Sequence, residues 1–231
     1  MGFLAESLRK AVLLIISGST DILSAVWTSL LISTSSILLA SLLGIPAGMC
    51  IGVGAFRGRG ILLTLLNSLM AMPTVVIGLL VYSVISRRGI LGKWNVLFTP
   101  TGMIMGLTLL ALPIVANYSL GAVKGADPRI VPTALTLGAT RFQSLLQLTR
   151  EVRFGILGAI IAGFGRVISE VGIAMMLGGN IRGYTRTMTT AIALETEKGE
   201  FAYGLALGMI LMALALAINA LLTFVQAKRP S

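Results

Sequence analysis

Two ionisable side chains stand by themselves inside an apolar stretch, in Ala162-Gly-Phe-Gly-Arg166-Val-Ile-Ser-Glu170-Val-Gly. Four residues apart on a helix, Arg166 and Glu170 share a face and can pair. A lone charge at membrane depth is unfavourable by a few kcal/mol or more, so pairing is the arrangement that lets both remain. Two roles fit. The pair can clamp helices together, or Arg166 can present positive charge to a passing anion while Glu170 restrains it. Hydrolytic chemistry, by contrast, lacks its parts. There is no histidine, Cys50 is the one cysteine, and of 8 acidic residues only Glu170 lies in an apolar span. An internal disulfide and a Cys/His metal site therefore have no ligands, and Glu170 has no second acid or base beside it. No Walker-type phosphate loop is present, so ATP would have to be hydrolysed by another subunit. No catalytic residue, metal ligand or cofactor is assigned to this chain.

The elements that must position the pair are membrane helices. The sequence has 231 residues, 56% hydrophobic and 11% charged, against about 25% charged in soluble domains. That composition predicts an all-α integral membrane protein of one domain. The net charge of +10 is scattered between spans, which points to lipid headgroups, an anionic substrate and acidic partner surfaces rather than nucleic acid. Residues 1–20 are read as an N-terminal amphipathic segment. Phe3, Leu4, Leu8, Ala11, Val12 and Ile15 recur at helical spacing opposite Glu6, Arg9 and Lys10, and the apolar part is short for about 30 Å of hydrocarbon. A sixth span starting there is the rival reading; a cleaved signal is disfavoured by the absence of a basic residue before Arg9.

Residues 21–227 then hold five spans. Ile22 to Phe56 is uncharged and carries Gly44, Gly48 and Gly52 every fourth residue, a pattern for close helix approach. Ile61 to Ile85 contains Pro73, which frees a backbone carbonyl and can act as a bend lining a path. Gly102 to Ala122, Phe154 to Leu177 and Phe201 to about Gln226 complete the set. Thr185 to Leu194 reads either as a short surface helix, with mixed charges suited to a binding protein, or as part of a solvated loop running from Gly178 to Glu200.

Between the third and fourth spans, residues 124–153 are polar and basic, with the grammar of two short helices. Asp127 before Pro128 reads as an N-cap with proline at the first helical position. Gly138 interrupts, and Thr140-Arg-Phe-Gln143 fits a capping box. The second helix sets Phe142, Leu145, Leu146 and Thr149 on one face. Neither helix is long enough to persist alone in water, so each must lean on something.

Ala134-Leu-Thr-Leu-Gly138-Ala139-Thr140-Arg141-Phe142 resembles the docking loop of ABC importer permeases, whose pattern opens Glu-Ala-Ala, three variable residues, Gly. Pro132-Thr133 replace the first two residues, and Arg150-Glu151 stand where the family has Leu-Pro. The segment from Ala162 to Gly172, with Gly178-Gly-Asn-Ile-Arg-Gly-Tyr-Thr-Arg-Thr-Met188 behind it, is similar to molybdate, sulfate and above all tungstate permeases. The resemblance implies a binding-protein-dependent importer fold in a prokaryotic cell membrane, N-terminus outside and C-terminus cytoplasmic, with residues 124–153 as a cytoplasmic coupling loop. It implies a second copy of the chain, two ATPase subunits holding ATP and magnesium, an extracytoplasmic substrate-binding protein, and an oxyanion moved by alternating access. Ala134, Leu137, Gly138, Ala139, Thr140, Arg141 and Phe142 are then the coupling residues, and Pro73, Arg166 and Glu170 the residues of the path or its charge pair. Charge distribution does not decide the orientation: with the docking loop inside, Arg57, Arg59, Lys124, Lys228 and Arg229 are among basic residues split almost evenly between the two sides. A different class, an ATP-independent channel or secondary anion carrier, would need a conducting or coupling site of its own, for which Arg166 and Glu170 are the one ionisable candidate. No internal repeat supports a carrier.

Overall fold

The structure is a computed structural model that describes residues 2–54 and 56–227; the side chains of Phe3 and Leu4, and all of Lys228 and Arg229, lie outside the described residues. It is built from helices: α1 (Gly2–Ser17), α2 (Thr20–Val53), α3 (Arg59–Met70), α4 (Thr74–Ile85), α5 (Pro100–Lys124), α6 (Ile130–Thr136), α7 (Arg141–Glu151), α8 (Arg153–Ile168), α9 (Gly172–Gly178), α10 (Met188–Glu197) and α11 (Phe201–Ala227). Three of these, α2, α5 and α11, are long and apolar enough to cross a membrane unbroken. The count reaches five only if each bent pair, α3–α4 and α8–α9, is one span.

At the centre α2 lies parallel to α5, in the register the glycines allow. A Cβ built on Gly48 would fall 2.2 Å from the Ala116 carbonyl oxygen, and one on Gly44 3.1 Å from that of Leu112. The four-residue glycine repeat is therefore helix packing. Around this seam Ile32, Ile37, Val81, Met103, Leu107, Val115, Ile173 and Leu177 form one buried cluster to which α2, α4, α5 and α9 all contribute. Ser29 and Ser36 inside α2 bond back along the helix, Ser29 Oγ to the Ala25 carbonyl at 2.8 Å and Ser36 Oγ to that of Ile32 at 2.7 Å, so these two hydroxyls are satisfied without water. Arg59 closes the far end of α2, donating to the carbonyls of Ile51 at 3.1 Å and Gly52 at 3.2 Å, two acceptors with no partner inside the helix. α1 is a separate 16-residue rod, about 24 Å long, turned away from α2 at Gly18 (φ +59°). Its Ala11 is buried in a second cluster with Met188, Ala206 and Leu207.

Three expectations are corrected. The bend at Pro73 is a break: α3 and α4 turn by 97° across Ala71–Pro73. The span from Phe154 to Leu177 is also broken, by 62° between α8 and α9, although no proline stands there. The stretch after Gly178 is no surface helix. α10 buries Met188, Thr189, Thr190 and Ala191, and the Met188 N–H donates to Ser29 Oγ on α2 at 2.7 Å.

Candidate functional site

The polar segment at one end of the molecule folds as a hairpin of α6 and α7. Asp127 Oδ1 accepts from the Arg129 N–H at 2.9 Å, as an N-cap would, but Pro128 and Arg129 form a turn and the helix begins at Ile130. The Arg129 guanidinium pairs with the same carboxylate at 2.7 Å and, with the Arg129 amide, holds its pKa down to about 2. α6 ends in a Schellman motif: Gly138 takes φ +86°, its N–H donates to Leu135 O at 3.0 Å, and the Ala139 N–H reaches back to Ala134 O at 3.0 Å. α7 opens with the capping box, Gln143 N–H to Thr140 Oγ1 at 3.2 Å and Thr140 N–H to Gln143 Oε1 at 2.8 Å.

The hairpin leans in part on the chain's own helices, a support the sequence reading did not name. α7 turns Ser144 and Leu148 inward, and Leu148 and Val152 pack with Met49, Val123 and Ile156. Burying two such aliphatic side chains stabilises the hairpin by roughly 2 kcal/mol each. Phe142 and Leu146, on the apolar face expected to lean on a membrane or a partner, are exposed. At the tip Leu137 and Phe142 are 82% and 77% exposed, beside exposed Gly138, Thr140 and Arg141, while Ala134 and Ala139 are half-buried. All seven expected coupling residues thus fall on one corner, and its two largest apolar side chains touch water.

The second feature lies where the two broken spans meet. Glu170 sits in the break between α8 and α9, so it and Arg166 do not share a continuous helix. They pair nonetheless, Arg166 Nη1 to Glu170 Oε2 at 2.6 Å, with side chains 38% and 4% exposed. The other carboxylate oxygen accepts from the Ile173 N–H at 3.3 Å, and the Glu170 carbonyl accepts from Thr189 Oγ1 on α10 at 2.9 Å. Glu170 therefore ties α8, α9 and α10 at one point. The break in the other span is adjacent: a Cβ on Gly172 would lie 3.3 Å from Glu170 Oε1 and 3.4 Å from Thr74 Oγ1, next to Pro73. Pro73, Gly165 and Ser169 are exposed around this junction.

Sequence reasoning missed a polar contact nearer the hairpin. Asn117 on α5 donates from Nδ2 to Asn67 Oδ1 on α3 at 2.8 Å, bordering a cavity of about 650 Å³ lined by Met70, Tyr118, Gly121, Gly158 and Ala162. An asparagine facing a break in an apolar span was the available signal. It missed as well the threonine cluster at the start of α10, where Thr187 and Thr190 form a capping box; the spacing was visible, the burial was not.

Fold and site together define a multi-span helical membrane protein with two sharply bent helix pairs, a projecting helical hairpin and no grouping of metal-ligating residues among those described. The chain belongs to the family described as binding-protein-dependent transport system inner membrane component, whose pattern covers residues 44–229; these are ABC permeases. Among relatives, a probable anion ABC transporter permease protein of Haloferax volcanii is 41% identical over 207 residues, 87% of this chain and 89% of the relative. The tungstate uptake system permease protein of Peptoclostridium acidaminophilum is 34% identical over 226 residues, 98% of this chain and 99% of the relative. Among solved structures, a bacterial alginate ABC transporter in complex with an alginate-pentasaccharide-bound periplasmic protein superposes with a TM-score of 0.72 at 19% identity, over 88% of this chain and 77% of that one. That likeness carries the fold alone.

Proposed function

We propose that this chain is the membrane subunit of an ATP-driven importer for a tetrahedral oxyanion, tungstate first and molybdate or sulfate next. The observation that carries the reading is the match to a tungstate uptake permease over nearly the full length of both chains. Two copies line the path between them. Two ATPase subunits, which hold the ATP and magnesium, grip the α6–α7 corner, and an extracytoplasmic binding protein delivers the anion at the opposite end; the alginate transporter was solved in complex with a ligand-bound periplasmic protein. The hairpin end is cytoplasmic, which sets the N-terminus outside and the C-terminus inside.

The geometry supports a mechanical role. The hairpin is fixed at its tip by the Gly138 turn and the Thr140/Gln143 capping box and anchored through Leu148 and Val152, so it moves as a body with α8. Force entering at Leu137 and Phe142 reaches the Glu170 junction through that one helix. There Glu170 acts as the restraint and Arg166, half in the open, as the positive charge an oxyanion passes. The fixed carboxylate keeps the guanidinium from trapping a dianion. Uptake by the reconstituted complex tests the assignment: labelled tungstate enters only with ATP, and unlabelled tungstate competes better than molybdate or sulfate. Entry without ATP would return the chain to the channel or carrier class.

A further inference from the structure

At the end opposite the hairpin, residues 86–99 join α4 to α5 as a compact knot. The Leu91 N–H donates to Val84 O at 2.9 Å, the Gly92 N–H to Gly89 O at 3.0 Å, and the Phe98 N–H to Leu177 O on α9 at 2.8 Å. Glycine is required at position 89, where a Cβ would fall 2.3 Å from two carbonyl oxygens. The knot is thus set in shape before anything binds to it. It encloses a cavity of about 790 Å³ whose lining includes Tyr82, Ser86, Arg87, Arg88, Asn95 and Phe98.

Arg87 and Arg88 both line this cavity and both are exposed, so water alone screens their like charges until an anion takes its place. None is supplied from within: no acidic residue occurs between Asp21 and Asp127, and neither arginine pairs with a carboxylate among the described residues. The hydroxyls of Ser86 and Tyr82 and the amide of Asn95 add neutral donors, which suits the several oxygens of a phosphate group. Beside the knot Ile90 and Trp94 are 90% and 70% exposed, the amphipathic and apolar rim expected at headgroup level. From the cavity an exposed apolar flank runs down α4 through Leu79, one helical turn from Tyr82. Cavity and flank together match a charged head and an acyl chain.

We propose that Arg87 and Arg88 form a binding site for a phosphate-like oxyanion head, filled in the membrane by an anionic phospholipid whose tail lies along α4. This goes beyond the transport reading and does not depend on it. The test uses the intact complex purified from vesicles of equal phosphatidylglycerol and phosphatidylcholine, with retained lipid measured by mass spectrometry. Phosphatidylglycerol should be enriched, and Arg87→Gln with Arg88→Gln should lower its affinity by roughly fivefold for each charge removed, while Arg87→Lys with Arg88→Lys keeps most of it. A parallel arm measures labelled phosphate and tungstate binding without lipid. Loss of that binding in the glutamine variant, with lipid retention unchanged, would make the same site one for free oxyanion. If the double variant does not assemble, Arg88→Gln alone carries the comparison. Unchanged retention of both lipid and free anion overturns the proposal.

Discussion

Glu170 shows how much one residue can hold. Its carboxylate restrains Arg166 and accepts from one free N–H in the first turn of α9, that of Ile173, while its carbonyl receives a threonine from α10. Glu170→Gln keeps an acceptor for Ile173 but removes the charge, leaving a guanidinium at membrane depth without its partner. We expect a loss of roughly 2–3 kcal/mol, read as a lower unfolding midpoint in detergent. Adding Arg166→Gln should restore at least about 1 kcal/mol of it; strict additivity would mean that the two side chains act separately. Asp127 gives the opposite case, an exposed pair. Its folded pKa of about 2 lies below the ordinary carboxylate value, so its contribution is present above about 4 and is lost as pH falls through 2. Protection of the Arg129 amide against hydrogen exchange should therefore fall in Asp127→Asn, and by the same factor at pH 5 and pH 8. A pH-dependent difference between those values would place the titration elsewhere.

Among the elements, the α6–α7 hairpin was legible because its signals are local. Thr140 and Gln143 are three residues apart, and Gly138 marks a left-handed turn that any sequence reader can see. The breaks were not equally legible. Pro73 announced a bend but not its 97°, since the angle depends on how α4 settles on α9. The break after Ile168 has no proline and rests on a hydrogen bond from Thr189, 19 residues on; periodicity within one span cannot report it. Burial of α10 stayed hidden for the same reason, because polar threonines read as surface until Ser29 and the Glu170 carbonyl are seen beside them. The hairpin supports a sharp experiment. Gly138 has φ +86° and nothing within 4 Å of a built Cβ, so asparagine and aspartate there pay a similar conformational penalty of about 1 kcal/mol. They differ in charge. Gly138→Asp should leave a folded membrane protein whose ATPase no longer drives uptake, whereas Gly138→Asn should retain most transport. Equal uptake by the two variants would remove this corner from the docked surface.

On the scale of the whole molecule, a single chain exposes two kinds of membrane-depth surface. One is uniformly apolar, with Leu23, Leu38 and Leu42 on α2 and Met212 and Leu216 on α11 facing outward, and is suited to lipid. The other carries Asn67, Asn117, Tyr118, Gly158, Gly165 and Ser169, small or polar groups bordering the cavity near α3 and the junction at Glu170. Lipid tails solvate the second surface poorly, and at most five spans give one chain little surface with which to enclose the proposed path. A second copy placed against it would bury the small residues and leave the polar ones along a wet seam. Single cysteines distinguish the two surfaces, once the exposed Cys50 is replaced by serine. A membrane-impermeant, water-soluble thiol reagent should label Ser169→Cys and Asn117→Cys in the assembled complex, with tungstate slowing the reaction, and should leave Leu38→Cys untouched. Because a thiol must ionise to react, labelling reports water at that atom and not mere exposure in an isolated chain. Labelling at Leu38 with Asn117 silent would reverse the surfaces, setting α2 on the path and the asparagines in the lipid.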